Sequence, residues 1–481
     1  MKAEIRLSAQ DVIAPVDRRV FSSFIEHMGR AVYTGIYEPK HPSADAWGFR
    51  QDVMELIRPL ALSHIRYPGG NFLSGYRWRD GIGPVAQRPS RPELAWMAIE
   101  PNLVGTDEFL QWCERLGVSA MLGVNLGTGT PQDAVDLLEY VNGSLPTYYA
   151  DLRRRNGREE PYCVKLWCLG NEMDGPWQIC AKTAEEYART ACETAKMMKW
   201  LDPDIELVAC GSSFRDMPTF GAWERTVLKH CYPYIDYLSL HQYYSDEDGD
   251  TASFLARSLE MEDSIREIAA LCREAKREQN GMHDVGLSFD EWNVWYHFRQ
   301  EGKEPEKWTV ARPIEEERYN MTDALAVGCM MNTLLRNADT VRIACMAQLV
   351  NVIAPIMTEP GGPAWVQTIY YPFLYASRFG RGTALRPDIT VGDYGCAVRE
   401  RVPFLDCAAV ADGEERPVLF LINRSEKEAV ELHLELRGFG RFQGAELVEY
   451  SGGGQPVSRR LRMGEDAELA PFSWNMLRMV R

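Results

Sequence analysis

The chain has 481 residues, 45% apolar, 25% charged and 11% aromatic, the composition of a folded globular protein with room for a large barrel. A formal net charge of -16 argues against a nucleic-acid binder, whose phosphate partner needs a basic surface. Residues 1–8 carry charges where a secretory segment is apolar, and the best apolar candidate, residues 341–357, is broken by Arg342, Gln348 and Asn351. Neither export nor a membrane span is expected, and a reducing cytoplasm is the simplest home. Twelve cysteines in a chain this long form no disulfide framework, and Cys163, Cys168, Cys210 and Cys345 sit inside strand or helix patterns as small apolar side chains.

In chain order, the alternation Ala3/Ile5/Leu7 predicts a first strand. Eight further strand-like runs follow at 20–25, 62–67, 118–124, 163–169, 205–210, 235–240, 285–289 and 341–347. Each gives way to polar residues at the same end. These are Glu26, Asn71, Asn125, Asn171 with Glu172, Ser212 with Ser213, His241 with Tyr243, Asp290 with Glu291, and Gln348. Helical patterns lie between them. One runs over 106–116, with Thr106 as cap and Gly117 as terminator, and another opens at a Thr183/Glu186 capping box and continues through Met198. Strands alternating with helices predict a parallel sheet, and eight such units predict an α/β fold, a (β/α)₈ TIM barrel over 16–379. Beyond 380 the pattern turns to strands at 418–422, 429–436 and 474–479, with a glycine-rich turn at 451–454. That predicts a C-terminal antiparallel β-sandwich, jelly-roll-like, which the N-terminal strand joins, so the second domain is 1–15 plus 380–481.

Two glutamates stand out at strand ends. Glu172 follows Trp167-Cys-Leu-Gly-Asn171, and Glu291 follows Ser288-Phe-Asp290. The C-terminal edge of barrel strands is where such folds place chemistry, and a strand-end glutamate is seldom buried without a partner or a task. Either one alone reads equally well as a salt-bridged rim residue. Together they fit glycoside hydrolysis, which needs one carboxyl to protonate the leaving oxygen and one to meet the developing oxocarbenium ion. Glu26, Asn71, Asn171, Tyr243 and Gln348 add the groups that grip sugar hydroxyls. Trp96, Trp177 and Trp295 can stack on sugar faces, although a single tryptophan is more often core. The rival motifs are weak. Gly127-Thr-Gly129 lacks a complete dinucleotide fingerprint, the acidic run 246–250 lacks EF-hand spacing, and no metal-ligand or Gly-x-Ser-x-Gly pattern occurs.

The runs Arg66-Tyr-Pro-Gly-Gly-Asn71-Phe, 167–178, Ser239-Leu-His-Gln-Tyr243, 290–296, 344–362 and Ser473-Trp-Asn475 resemble the α-L-arabinofuranosidases of glycoside hydrolase family 51. The resemblance covers nearly the whole chain. It implies a barrel with a β-sandwich, a retaining exo-acting mechanism on arabinose-containing oligosaccharides, no cofactor, no metal and a homo-oligomer, often a hexamer. By motif, Glu172 would be the acid/base and Glu291 the nucleophile. Asn171 would bond the hydroxyl beside the anomeric carbon, Glu26, Asn71, Tyr243 and Gln348 would hold the furanose, and Trp295 would wall it in. Two departures fall on the leaving-group side: Ile179-Cys180-Ala181 after Gln178 where Gly-His is usual, and Gln242 where Arg is common. A retaining β-xylosidase or endo-β-glucanase on the same scaffold stays open, as does a silent carbohydrate-binding protein.

Overall fold

The computed structural model describes residues 1–246, 249–296, 304–452 and 454–481. Glu247 and Asp248 of the acidic run and Gly453 of the glycine-rich turn lie outside the described residues. Eight strands pair in parallel and close into a barrel: Ser22–Phe24, His64–Tyr67, Ser119–Val124, Leu166–Leu169, Glu206–Ala209, Tyr237–Tyr244, Gly286–Val294 and Val341–Met346. Cys345 and Met346 of the last strand pair with Ser22 and Ser23 of the first, which makes the closure. The interior is filled by Phe24, Met121, Leu166, Cys168, Val208, Ile343 and Cys345, so the barrel is a packed core with chemistry at one rim.

All eight predicted runs are strands, with informative shifts at their ends. Tyr237–Tyr244 and Gly286–Val294 run past the predicted stops, so His241, Tyr243, Asp290 and Glu291 lie inside strands. Their pairing slips between Ser239 and His241 and between Phe289 and Trp292. Such bulges bend a strand and re-aim its side chains, and periodicity alone does not reveal them. Cys163 is corrected: it precedes its strand, exposed, with a left-handed φ of 57°. The cap of helix Thr106–Leu116 is corrected too. Gly105 occupies the cap position and its N–H donates to Glu108 at 3.0 Å. Gly117 ends that helix in the left-handed region, as its position predicts.

Apart from three two-stranded ribbons, the remaining strands form a seven-stranded antiparallel sheet and a four-stranded sheet with an apolar layer between them that includes Ile5, Leu7, Leu421, Leu432 and Leu477. Both N-terminal strands join this unit. Val12–Pro15 pairs antiparallel with Thr383–Leu385, whereas Lys2–Ser8 runs parallel to Val430–Arg437. The parallel pair departs from the antiparallel expectation. A strand that arrives from the far end of the chain is not bound by hairpin geometry. Helix Met321–Arg336 meets this unit, and at that seam Asp406 accepts hydrogen bonds from Asn332 (2.7 Å), Arg336 (3.0 Å) and Arg424 (3.1 Å). No helix among the described residues is long and apolar enough to cross a membrane.

Candidate active site

The turn after the second strand brings the chain back over the rim. Tyr67-Pro-Gly-Gly70 has Gly69 and Gly70 in the left-handed region. A Cβ at Gly70 would lie 2.0 Å from Oε2 of Glu26, so only glycine lets the backbone approach that carboxylate. The N–H of Phe72 donates to Oε1 of Glu26 at 2.9 Å, and the indole Nε1 of Trp96 donates to the same oxygen at 2.7 Å. Gln348 completes the grip. Its Oε1 accepts from the Glu26 N–H at 3.0 Å and its Nε2 donates to Oε2 at 3.3 Å. Burial lifts Glu26 well above the usual carboxylate range, against the pull of these donors. Asn71 stands beside Phe72 at the start of a short 3-10 turn, its side chain part-exposed.

The fourth, sixth and seventh strands supply the two glutamates and their partners. Arg66, buried in the second strand, donates from Nη1 to Oε1 of Glu291 and from Nη2 to Oδ1 of Asn171, both at 2.7 Å. The second oxygen of Glu291 accepts from Tyr243 Oη at 2.8 Å. Asn171 Nδ2 is buried with no partner among the described residues, a donor left over for a ligand. Glu172, at φ 45°, accepts from Trp177 Nε1 at 2.8 Å and from His241 Nδ1 at 3.0 Å. The other nitrogen of His241 donates to Asp290 at 3.1 Å. An oxygen of Glu172 and an oxygen of Glu291 lie within 4.8 Å of each other.

The charges explain the protonation states. Burial pushes the His241 imidazole down, but Glu291, Asp290 and Glu172 outweigh it and raise the group to about 10. The imidazolium that results donates on both sides, to Glu172 and to Asp290. Burial raises Glu172, Glu291 adds to that, and His241 and Trp177 pull part of it back. A carboxyl raised above its usual range stands next to one tied down by Arg66 and Tyr243, an arrangement that suits one acid and one nucleophile.

Trp295 stands edge-on to Tyr243, with ring centroids 5.1 Å apart, and its indole donates to Glu315 at 2.7 Å. Trp96, Tyr243 and Trp295 pack on one apolar cluster with Phe24, Met28 and Ile314. The rim tryptophans therefore act first as hydrogen-bond donors, with Trp96 on Glu26 and Trp177 on Glu172. Arg66, His241 and Asp290 received no role from the sequence. Their signal was present, because an arginine inside the apolar run His64–Tyr67 can only be buried, and a buried charge needs partners. Of the two departures, Gln242 accepts from the Arg215 N–H at 3.3 Å, and Ile179 lines a cavity of about 730 Å³ with Tyr76 and Asn125 that contains neither glutamate.

A closed parallel barrel with two carboxyls, Glu291 buried and Glu172 partly buried, carried by its seventh and fourth strands at one rim has the build of a glycoside-cleaving enzyme. Comparison with known proteins gives the particular group. Residues 56–259 match the alpha-L-arabinofuranosidase 1 domain and residues 290–457 the alpha-L-arabinofuranosidase C-terminal domain. The chain is 49% identical to an intracellular exo-alpha-(1->5)-L-arabinofuranosidase of Bacillus subtilis, over 100% of this chain and 99% of the relative. It is 47% identical to an exo-alpha-(1->6)-L-arabinofuranosidase of Bifidobacterium longum, over 88% of this chain and 83% of that one. A solved family 51 alpha-L-arabinofuranosidase from Bifidobacterium longum superposes with a TM-score of 0.94 at 41% identity, over 99% of both chains. The chain belongs to the α-L-arabinofuranosidases of glycoside hydrolase family 51.

Proposed function

We propose that this chain is a retaining, exo-acting α-L-arabinofuranosidase that removes terminal α-L-arabinofuranosyl residues from arabinan and arabinoxylan oligosaccharides. The observation that carries the reading is the pair Glu172 and Glu291, oxygens within 4.8 Å. That fits the roughly 5–5.5 Å between carboxyl groups in retaining enzymes better than the roughly 6.5–9.5 Å of inverting ones. Glu291 attacks the anomeric carbon while Glu172 gives its proton to the departing oxygen, and an arabinosyl ester forms on Glu291. Esterification removes the negative charge that helps raise Glu172. Glu172, lowered and having given up its proton, then takes one from the water that releases arabinose with retained configuration.

Asn171 donates from its unpartnered amide to the hydroxyl beside the anomeric carbon. Glu26, Asn71, Tyr243 and Gln348 hold the others, and Trp295 closes the wall. The relatives' names carry (1->5) and (1->6) linkages at nearly equal identity, which supports placing linkage choice on the leaving-group side, near Ile179. The same names give no support to a β-xylosidase or an endo-β-glucanase. The proposal takes the barrel as 16–379 and the sandwich as 1–15 plus 380–481. It places the enzyme in the cytoplasm, supported by the word intracellular in the first relative's name, and as a homo-oligomer, on the family resemblance. Time-resolved NMR of arabinofuranoside cleavage tests it: the first product must be the α-anomer of arabinose, and a first-formed β-anomer would refute the mechanism.

A further inference from the structure

We propose that Glu93 and Arg312 are positioning residues that fix Trp96 as a wall of the furanose pocket and, through Trp96, place Glu26. Trp96 lies in the connection of an antiparallel hairpin whose strands, Arg91–Glu93 and Ala98–Glu100, are three residues each. A two-stranded ribbon that short is not stable by itself. Apolar packing alone does not fix its tip: Trp96 rests against the Phe24, Met28 and Ile314 cluster, but Leu94 and Met97 on either side of it are 63% and 40% exposed.

What holds the tip is polar. The carboxylate of Glu93 accepts the N–H of Ala95 at 2.8 Å and that of Trp96 at 2.7 Å. The carbonyl of Trp96 accepts from Arg312 Nη1 at 3.1 Å. The indole N–H goes to Glu26 at 2.7 Å, so every polar group of Trp96 is held, two by charged side chains and the third by the pocket. Glu93 and Arg312 are themselves 7% and 5% exposed. The rest of the Arg312 guanidinium is tied to Glu304 at 2.6 Å and to the Pro305 carbonyl at 3.0 Å. Two backbone bonds, Trp308 N–H to Met97 O at 2.7 Å and Ile99 N–H to Thr309 O at 3.1 Å, strap the hairpin to the same segment. Trp96 supplies one of the two N–H donors that converge on Oε1 of Glu26, so a tip that drifts withdraws a hydrogen bond from the pocket.

The consequence for catalysis rests on the furanose-pocket reading, whereas the clamp stands on the geometry. Two readouts separate them. Arg312→Ala should speed amide exchange across residues 93–97 and lower kcat/KM on 4-nitrophenyl α-L-arabinofuranoside about ten- to hundredfold, the size of effect that an ångström of misplacement has at a site. The melting temperature should hold, and Arg312→Lys, which keeps one donor, should recover part of the loss. In a Trp96→Ala background the same Arg312 change should cost nothing further, because the residue it positions is gone. Glu93→Gln, which keeps an acceptor for one of the two N–H groups, should give a smaller version of both effects and serves if Arg312→Ala folds poorly. Equal falls in both backgrounds, or unchanged exchange at 93–97, would overturn the proposal. Faster exchange with kcat/KM intact overturns the positioning role and leaves the pocket standing. No turnover of arabinofuranosides by the unaltered chain sinks the pocket reading instead, and the exchange data still decide the clamp.

Discussion

Two of the places where the molecule buries charge, the barrel rim and the seam with the sandwich, are built on opposite terms. At the seam Asp406 faces Arg336 and Arg424 and accepts a third hydrogen bond from Asn332. Burial raises the Asp406 carboxyl, but the two guanidinium groups outweigh it and hold the group below its usual range. At the rim three carboxyl groups, Glu172, Asp290 and Glu291, share Arg66 and His241, and a fourth, Glu26, is held by uncharged donors. There Glu172 and Glu26 are raised and Asn171 keeps an unpartnered donor. A buried ion cluster made for stability balances its charges, as the seam does with Glu262 on Arg336, although Arg424 Nε is left without a partner among the described residues. One made for chemistry carries an excess that only substrate and transition state relieve.

That contrast can be broken most forcefully at Glu291. Glu291→Gln should abolish turnover by roughly 10⁴-fold or more, the scale on which a covalent nucleophile is lost, with the melting temperature unchanged or raised. A melting temperature that falls in step with activity would make the rim structural. The mirror experiment is Asp406→Asn at the seam. It strands the buried Arg424, leaves Arg336 with Glu262 as its one carboxylate, and should cost about 3–5 kcal/mol of stability, read by denaturant unfolding, while kcat per folded molecule stays the same. Smaller is Glu26→Gln, which replaces one carboxyl oxygen of the pocket by an amide donor and should lower kcat/KM about ten- to hundredfold at constant melting temperature.

The smallest effect is a displacement in pH. His241 holds its positive charge against Glu172 and lowers that carboxyl. His241→Gln removes the charge, Glu172 keeps its proton further up the scale, and the alkaline limb of the kcat/KM profile moves to higher pH. Stability has its own sign. With His241 raised from 6.5 to about 10, its contribution is complete below pH 6.5 and fades as pH climbs through about 10, so the variant should lose its deficit against the native chain at high pH. An alkaline limb that moves down would reverse the charge assignment.

Sequence periodicity gives the barrel because strand and helix patterns alternate eight times, and each polar residue at a strand end is a discrete signal. Glu26, Asn171, Glu172, Tyr243, Glu291 and Gln348 all fall at the rim that the pattern predicts. What the pattern misses is made in three dimensions. Arg66 reads as one charge in a strand, and only closure of the barrel puts it between Glu291 and Asn171. The bulges that turn His241 and Asp290 toward each other leave no mark on alternation. Trp96 reaches Glu26 across 70 residues from a hairpin too short to register as strands. The parallel pairing of Lys2–Ser8 with Val430–Arg437 depends on where the two chain ends meet.

The central claim is that Glu172 is the acid/base and Glu291 the nucleophile, and azide rescue tests it most directly. Glu172→Ala should still form the glycosyl-enzyme with a good leaving group and then stall, because the second water lacks its base. Azide needs no base, so it should restore turnover and yield an arabinosyl azide of retained configuration. Glu291→Ala should give no such adduct. A retained adduct from Glu291→Ala, with none from Glu172→Ala, would reverse the two roles and contradict the account.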